Sequence, residues 1–284
     1  MMPVLTQPAR HEGMCAQSPQ VVALIPCRDG EKTVSRTVQS LLDQTVETAV
    51  VVADDASVDN TPQILRNFEI ATSGKVRHVR YHRREPKDYG RVPALLNMAL
   101  EAAPSAPHYM ISGDDSLYPR HYVEEVVGFM ERDGVDICSG YFGEHERILP
   151  SGSGRVISSS ILRKIAPFPR SIGWESWMLY KAMAMGRKVA VYPVEFYHSR
   201  GYSLRSTLTF GFSAYLNGVP LIFTMARTLK TLVTGIHSPL NAISITFGHL
   251  EYMLRRPERF DIAPFVYDFH KKRIKKTINE LLGL

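Results

Sequence analysis

Residues 50–61, VVVADDASVDNT, constrain this chain more than any other stretch. Three valines and an alanine run straight into two carboxylates, Asp54 and Asp55. An unbroken apolar run of this kind predicts a strand buried on both faces of a parallel sheet, because both of its side-chain rows must leave water. A short polar turn follows, and Thr61-Pro62 opens a helical pattern. Acids at the carboxyl end of such a strand would lie in the crevice where open α/β sheets bind ligands. Adjacent acceptors there suit ribose hydroxyls and base N–H groups, and they repel bare phosphate. The same residues also fit an ordinary strand-to-helix turn with a capping Asp, so the stretch alone leaves both readings open.

The residues ahead of it extend the pattern. VVALI at 21–25, stopped by Pro26, reads as the first strand, and the polar loop CRDGEKT leads into a helix. Val34, Val38, Leu41 and Leu42 give that helix one apolar face. Strand, helix and strand within about thirty residues predict a right-handed βαβ unit. A helix at 62–68 and a short strand at 76–81 continue it.

VVALIPCRDGEKTVSRTVQSLLDQT followed by VVVADDASVDNTPQIL resembles the amino-terminal signature of family 2 glycosyltransferases of the GT-A fold. That signature is an apolar strand, I-P-x-x-N-x-E, a helix with S-L-x-x-Q-T, then V-V-D-D-x-S-x-D-x-T; Asp29 stands where Asn is usual. The resemblance implies an α/β fold: a Rossmann-like, mostly parallel sheet sandwiched by helices, with a nucleotide-diphosphate-sugar site. It also implies that Pro26, Arg28, Glu31, Asp54 and Asp55 contact the nucleotide sugar. Arg83, Arg84 and Lys87 precede GRVPALLN at 90–97, which is similar to the family's loop and helix after the third strand. Arg91 would reach a diphosphate there, against the plainer reading of a solvated surface arginine.

A second strand ends in paired acids at 108–116, HYMISGDDS. It resembles the family's Asp-x-Asp-Asp metal motif, with Ser112 where the first Asp often stands. Carboxylates suit Mg²⁺ or Mn²⁺, hard cations that can bridge the oxygens of a departing diphosphate. By resemblance Asp115 is the metal ligand, and Asp114 contacts the nucleotide sugar at its ribose, or the metal. Ser112 leaves the cation with fewer anionic ligands.

Residues 119–132 read as a helix and 135–141 as a strand, and 140–154 form a Gly-rich loop that reads as surface or as an acceptor cover. Trp174-Glu175-Ser176-Trp177 then enters a helix. Family members carry Glu-Asp at this point, the Asp serving as base on the acceptor; here Ser176 replaces the Asp, so Glu175 is the acid left to act as catalytic base. Trp174 and Trp177 offer faces for a sugar ring, though tryptophans are more often core residues. After a strand at 188–192 come His198, Arg200 and Arg205. The resemblance makes His198 a metal or diphosphate contact, and the two arginines can grip diphosphate oxygens in bidentate fashion.

From residue 206 the character changes. Residues 206–226 and 231–250 carry no charge, yet Ser, Thr, Asn, His and Pro dilute both stretches. They predict a helical extension over 206–284, against a GT-A unit at 21–205 and a loose, signal-free tail at 1–20. The basic clusters around them, ending in KKRIKK at 271–276, suggest helices lying on an anionic leaflet. A soluble helical cap is the plainer alternative. The net charge of +6 over 284 residues also admits nucleic acid, but no recognition motif accompanies it, and none is expected as a partner. Three cysteines (Cys15, Cys27, Cys138) without CxxC spacing argue against a zinc site or a disulfide framework and fit a cytoplasmic setting, at the membrane's cytoplasmic face.

The expectation is therefore transfer of a sugar, with inversion and a divalent cation, from a nucleotide-diphosphate donor to a hydroxyl on a glycan or lipid-linked acceptor. Ser112 and Ser176 keep open a catalytically silent relative that binds a nucleotide sugar or a partner enzyme.

Overall fold

The computed structural model describes residues 18–82, 86, 88–141, 149–199, 203–235 and 238–282, with side chains as far as residue 273. Its first half alternates strand and helix. The order is β1 (Val21–Cys27), α1 (Val34–Leu42), β2 (Thr48–Asp54), α2 (Thr61–Ala71), β3 (Val76–Arg80), α3 (Arg91–Ala102), β4 (His108–Ile111), β5 (Ser116–Leu117) and α4 (Tyr122–Asp133). Then come β6 (Ile137–Tyr141), β7 (Arg155–Ser158), α5 (Ser159–Ile165), α6 (Trp174–Ala184), β8 (Val189–Glu195) and β9 (Tyr197–His198). Four helices close the chain: α7 (Leu204–Leu216), α8 (Leu221–Thr234), α9 (Pro239–Arg255) and α10 (Ala263–Leu282).

Seven strands form one sheet in the order β3-β2-β1-β4-β7-β6-β8. Only β7 runs against the rest, antiparallel to both β4 and β6. Every residue of β2 is buried, as an uninterrupted apolar strand in a parallel sheet requires. Side chains alternate across the pleat, so Val21, Ala23 and Ile25 join a core with α1 and α4, while Val22 and Leu24 join a second core with α3, α5 and α6.

Two expectations need correction. β1 continues through Pro26 to Cys27 instead of stopping before the proline, with Pro26 in register with Ala53. The Leu24 carbonyl accepts from Ser112 N–H and the Cys27 carbonyl from Asp55 N–H, so Pro26 faces the β4 side just beyond the last paired residue. Its missing N–H breaks no ladder bond there. The second correction is β7, a strand directly after the loop read over 140–154, in a stretch with no element expected from sequence.

Chain order reverses between β1 and β4: β1 leads outward through α1 to β2 and β3, and α3 returns the chain to β1's other side. The carboxyl ends of β1, β2 and β4 therefore open onto one crevice, the usual ligand position in such sheets. The tail lies outside the described residues as far as residue 17, as do Arg83, Arg84, Lys87, Arg200 and the loop at 142–148.

Candidate active site

The β1–α1 and β2–α2 loops are bonded to each other along their length. Asp29 N–H donates to Ser57 Oγ at 2.8 Å, Gly30 N–H to Thr61 Oγ1 at 2.8 Å, and Glu31 N–H to Asp59 Oδ2 at 3.0 Å. In return Val58 N–H donates to Asp29 Oδ1 at 3.1 Å and Asn60 N–H to Glu31 Oε2 at 3.1 Å. Asp29 has φ 53, a left-handed conformation that Asn and Asp tolerate best among side-chain-bearing residues, which accounts for Asp at a position where Asn is usual.

Asp54 and Asp55 face different partners. Asp54 is fully buried; its Oδ1 accepts from Ser57 N–H at 2.9 Å, and Arg80 Nε and His78 Nε2 lie 3.2 and 3.6 Å from Oδ2. Burial alone would raise its pKa, but His78, Ser57 and the Arg80 charge outweigh burial and hold the carboxyl below its ordinary value. Asp55 sits between two guanidinium groups, Arg28 Nη1 at 3.1 Å and Arg91 Nε at 2.7 Å. Arg91 is itself buried and lies over the Tyr81 ring at 3.8 Å. It is therefore a fixed cation at the crevice, not a solvated surface arginine.

The second acid pair follows β4. Buried Cys27 donates its thiol to Asp114 Oδ2 at 3.5 Å. Burial and the adjacent Asp114 push that thiol's pKa far up, so it stays protonated and acts as a donor. Asp115 Oδ1 lies 3.2 Å from His198 Nδ1, and Ser199 Oγ donates to Asp115 Oδ2 at 3.2 Å. The small β5–β9 sheet produces this contact by pairing Ser116 with His198.

Glu175 occupies the first turn of α6, after Gly173 at φ 85, and is exposed. A Cβ placed on Gly152 would stand 2.9 Å from both of its carboxylate oxygens. The neighbouring Ser153 Oγ accepts from Gly113 N–H at 2.9 Å and meets Ser116 Oγ at 2.7 Å and the Tyr118 hydroxyl at 2.8 Å. The 152–153 segment thus bridges Glu175 to the acid motif. Arg155 anchors it from below, donating to the carbonyls of Ser151 at 2.9 Å, Pro150 at 3.0 Å and Glu175 at 3.3 Å. Complete burial lowers the Arg155 pKa to about 10 although Glu175 acts to raise it.

Sequence reading did not single out this hydroxyl network or Arg155. A lone Arg opening a four-residue strand carries no local signal; only the buried carbonyls around it give it a purpose. Ser112, noted as a missing acid, accepts from the Tyr118 hydroxyl at 2.9 Å and is buried. Trp174 is core, packed on Phe168, and Trp177 donates through Nε1 to Asp261 at 3.1 Å, so both turn to the protein interior or the carboxyl-terminal segment. Pro26 lies at the carboxyl end of β1, and Arg205, in α7's first turn, lies 5.6 Å from the Tyr89 ring centre.

The sequence profile of glycosyl transferase family 2 matches residues 22–192, more than half of the chain. The chain belongs to this family. It is a glycosyltransferase, and its sheet order and helical carboxyl-terminal part are those of a GT-A fold. Among solved structures, S. aureus TarS aligns with a TM-score of 0.54 at 16% identity over 70% of this chain and 39% of its own. The mannosyltransferase PcManGT from Pyrobaculum calidifontis, in complex with GDP-Man and Mn²⁺, aligns with a TM-score of 0.59 at 18% identity over 83% of this chain and 71% of its own. TarS 1-349 in complex with UDP-GlcNAc aligns at 0.54 and 13% identity over 86% of this chain and 94% of its own. At such identities the likeness is one of fold. No curated protein matches the chain.

Proposed function

We propose that this family 2 enzyme transfers a sugar, with inversion, from a nucleoside-diphosphate donor to an acceptor hydroxyl on a glycan or lipid-linked molecule. The observation that carries the proposal is the placement of Asp54-Asp55 and Asp114-Asp115 at the carboxyl ends of β2 and β4, the two strands that flank β1, with His198 3.2 Å from Asp115. Acceptors at Asp54 and Asp114 suit the hydroxyls and N–H groups of a nucleoside. Pro26 and Glu31 border the same loops. Arg28 and Arg91, fixed on Asp55, supply positive charge for the diphosphate, and Arg205 adds a further cation from α7. That fold neighbours are described with GDP-Man or UDP-GlcNAc supports a donor of this class.

The residues fit a divalent cation. Asp115 offers a hard carboxylate oxygen and His198 an imidazole nitrogen, a donor set that suits Mn²⁺ or Mg²⁺. Their 3.2 Å separation is near the ~3 Å expected of two adjacent octahedral ligands with bonds of about 2.1 Å. Among the described residues no three His, Cys, Asp or Glu side chains are grouped to hold an ion unaided, so phosphate oxygens and water would complete the shell. Such a cation would supply Lewis-acid stabilisation to the leaving diphosphate.

Glu175 is the base. As the acceptor oxygen bonds to the anomeric carbon, its proton passes to the Glu175 carboxylate and the carbon–oxygen bond to the diphosphate breaks. Asp115→Ala tests the donor site: it should abolish Mn²⁺-dependent binding of a nucleoside diphosphate measured by calorimetry, with the fold retained. Equal affinity in EDTA and in Mn²⁺ would defeat the proposal.

A further inference from the structure

The helices α8 and α9 are packed the wrong way round for water. On α8 the buried residues are Thr224, Thr228 and Thr231, while Ile222, Met225, Leu229, Leu232 and Val233 are exposed, Val233 at 80%. On α9, Leu240, Ile243, Phe247, Leu250 and Leu254 recur at three- and four-residue spacing, so they form one stripe, and all five are exposed. Its buried side is Ala242, Ser244, Ile245, Gly248 and His249.

Contacts between these helices rest on small residues and hydroxyls. Thr207 and Ser244 oxygens meet at 2.7 Å, Thr228 and Thr246 at 2.8 Å, and Thr224 Oγ1 meets His249 Nδ1 at 2.9 Å. A Cβ on Gly211 would stand 2.1 Å from the Ile245 carbonyl oxygen, and one on Gly248 would stand 2.3 Å from that of Leu208. Backbones that approach through glycine, joined by Ser, Thr and His hydrogen bonds, are how helices associate where the surroundings are as apolar as leucine. In water the hydrophobic effect would turn the leucines inward and the threonines out.

We propose that the outward faces of α8 and α9 are seated in the outer part of an anionic lipid leaflet. Charge favours lipid over a second copy of the chain. Between residues 206 and 250 the only charged residues are Arg227 and Lys230; Arg255 closes α9, paired with Glu251 at 2.6 Å, and Arg256 and Arg259 follow with Glu258 between them, which leaves the segment net basic. A second copy would bring the same cations to the contact, whereas anionic headgroups neutralise them. Seating within one leaflet follows from length. Seventeen residues of α9 reach about 25 Å, short of the ~30 Å hydrocarbon core, and among the described residues no helix is long and apolar enough to cross a membrane. α7, which begins six residues after His198, links this layer to the rest of the chain, its amino half running along the amino half of α9 through Thr207 and Ser244.

The test is flotation of the full chain with phosphatidylcholine vesicles, with and without phosphatidylglycerol. Vesicles containing phosphatidylglycerol should carry the protein upward, with partial retention at high salt because apolar seating survives screening. Leu229→Asp combined with Phe247→Asp should reduce partitioning tenfold or more, an order-of-magnitude expectation for losing two buried apolar side chains, while binding of a nucleoside diphosphate persists. Phe247→Trp should gain fluorescence that brominated acyl chains quench, and Ile70→Trp, on exposed α2, should not. A chain that stays in the soluble fraction at low salt overturns the proposal. If light scattering then shows a dimer that the Asp pair dissociates, the face belongs to a second copy. Equal quenching at positions 70 and 247 also overturns it.

Discussion

The sheet and the helical layer beside it obey opposite packing rules. In the sheet, β1 and β2 bury Val, Ala, Leu and Ile on both faces, and polar residues collect at the strand ends where the crevice opens. In α8 and α9 the buried residues are largely Thr, Ser, Ala, Gly and His, with Ile245, and most large apolar side chains point away from the protein, whereas α7 buries Tyr215 and Leu216. Water alone accounts for the first arrangement, since roughly 1.5–3 kcal/mol accompanies each large apolar side chain removed from it. The second leaves a contiguous apolar face in water unless another surface meets it. If α8 and α9 meet lipid as proposed, one chain carries a part shaped for catalysis and a part shaped for an apolar surface, and a change made in one should leave the other's signature intact.

The largest separation comes from Glu175→Gln. The amide keeps the side chain's shape and removes the base, which is typically worth about 10²–10⁴-fold in rate. Transfer should fall by that factor in a kcat measurement, with donor affinity and vesicle flotation unchanged. Near-normal transfer would move the base elsewhere, and a loss of donor affinity as well would mean that Glu175 holds the crevice together through its contact with the 152–153 segment.

How much of this was legible in sequence follows the same division. The βαβ units and the crevice acids could be read because apolar runs in a parallel sheet and acids at strand ends are local patterns, and the α6 entry through its resemblance to the family's Glu-Asp motif. Four-residue β7 could not, since Val156 and Ile157 between Gly154 and three serines leave too short a signal. Arg155 and the Ser153–Tyr118–Ser112 contacts join segments that only the fold brings together. In α8 the apolar period is present in the sequence, but periodicity says that a stripe exists and not which way it faces. Only the burial of Thr224, Thr228 and Thr231 fixes the direction.

Acid sharpens the comparison next. Burial lowers the pKa of His249 to about 4, with Arg259 adding to it, and burial with Arg273 lowers that of His270 to about 4. Both lie in the carboxyl-terminal helices, His270 against the Tyr180 hydroxyl at 2.9 Å. The fold keeps them neutral while the unfolded chain takes up protons near pH 6.5. The histidines' contribution to stability should therefore fall as pH drops from about 6.5 to about 4, by up to roughly 3 kcal/mol each, while further acid removes that of Asp54, whose carboxyl is held below its ordinary value. In the sheet half, burial lowers the pKa of His108 too, but Glu131 opposes it. Hydrogen exchange between pH 7 and pH 4 should show α7–α10 opening before β1, β2 and β4; simultaneous loss of protection would mean that the two halves unfold as one.

The finest contrast is one substitution made twice, glycine to alanine in a helix of each half. Gly248 lies where α9 meets α7, and an added methyl would stand 2.3 Å from the Leu208 carbonyl oxygen. That neighbour is backbone, so the helices must separate, and overpacking of this kind costs typically about 1–3 kcal/mol. Gly128 lies in α4, exposed, with nothing within 4 Å of an added Cβ. Alanine there removes the entropic cost of a mid-helix glycine and should stabilise the chain by roughly 0.5–1 kcal/mol. Denaturant midpoints should therefore move in opposite directions, Gly248→Ala down and Gly128→Ala up by the smaller amount. If Gly248→Ala is neutral, α7 and α9 are not in backbone contact, and the case for lipid-type packing loses its tightest observation. If Gly128→Ala destabilises, α4 has an unseen neighbour on that side, and the sheet half is not the self-sufficient unit its interior implies.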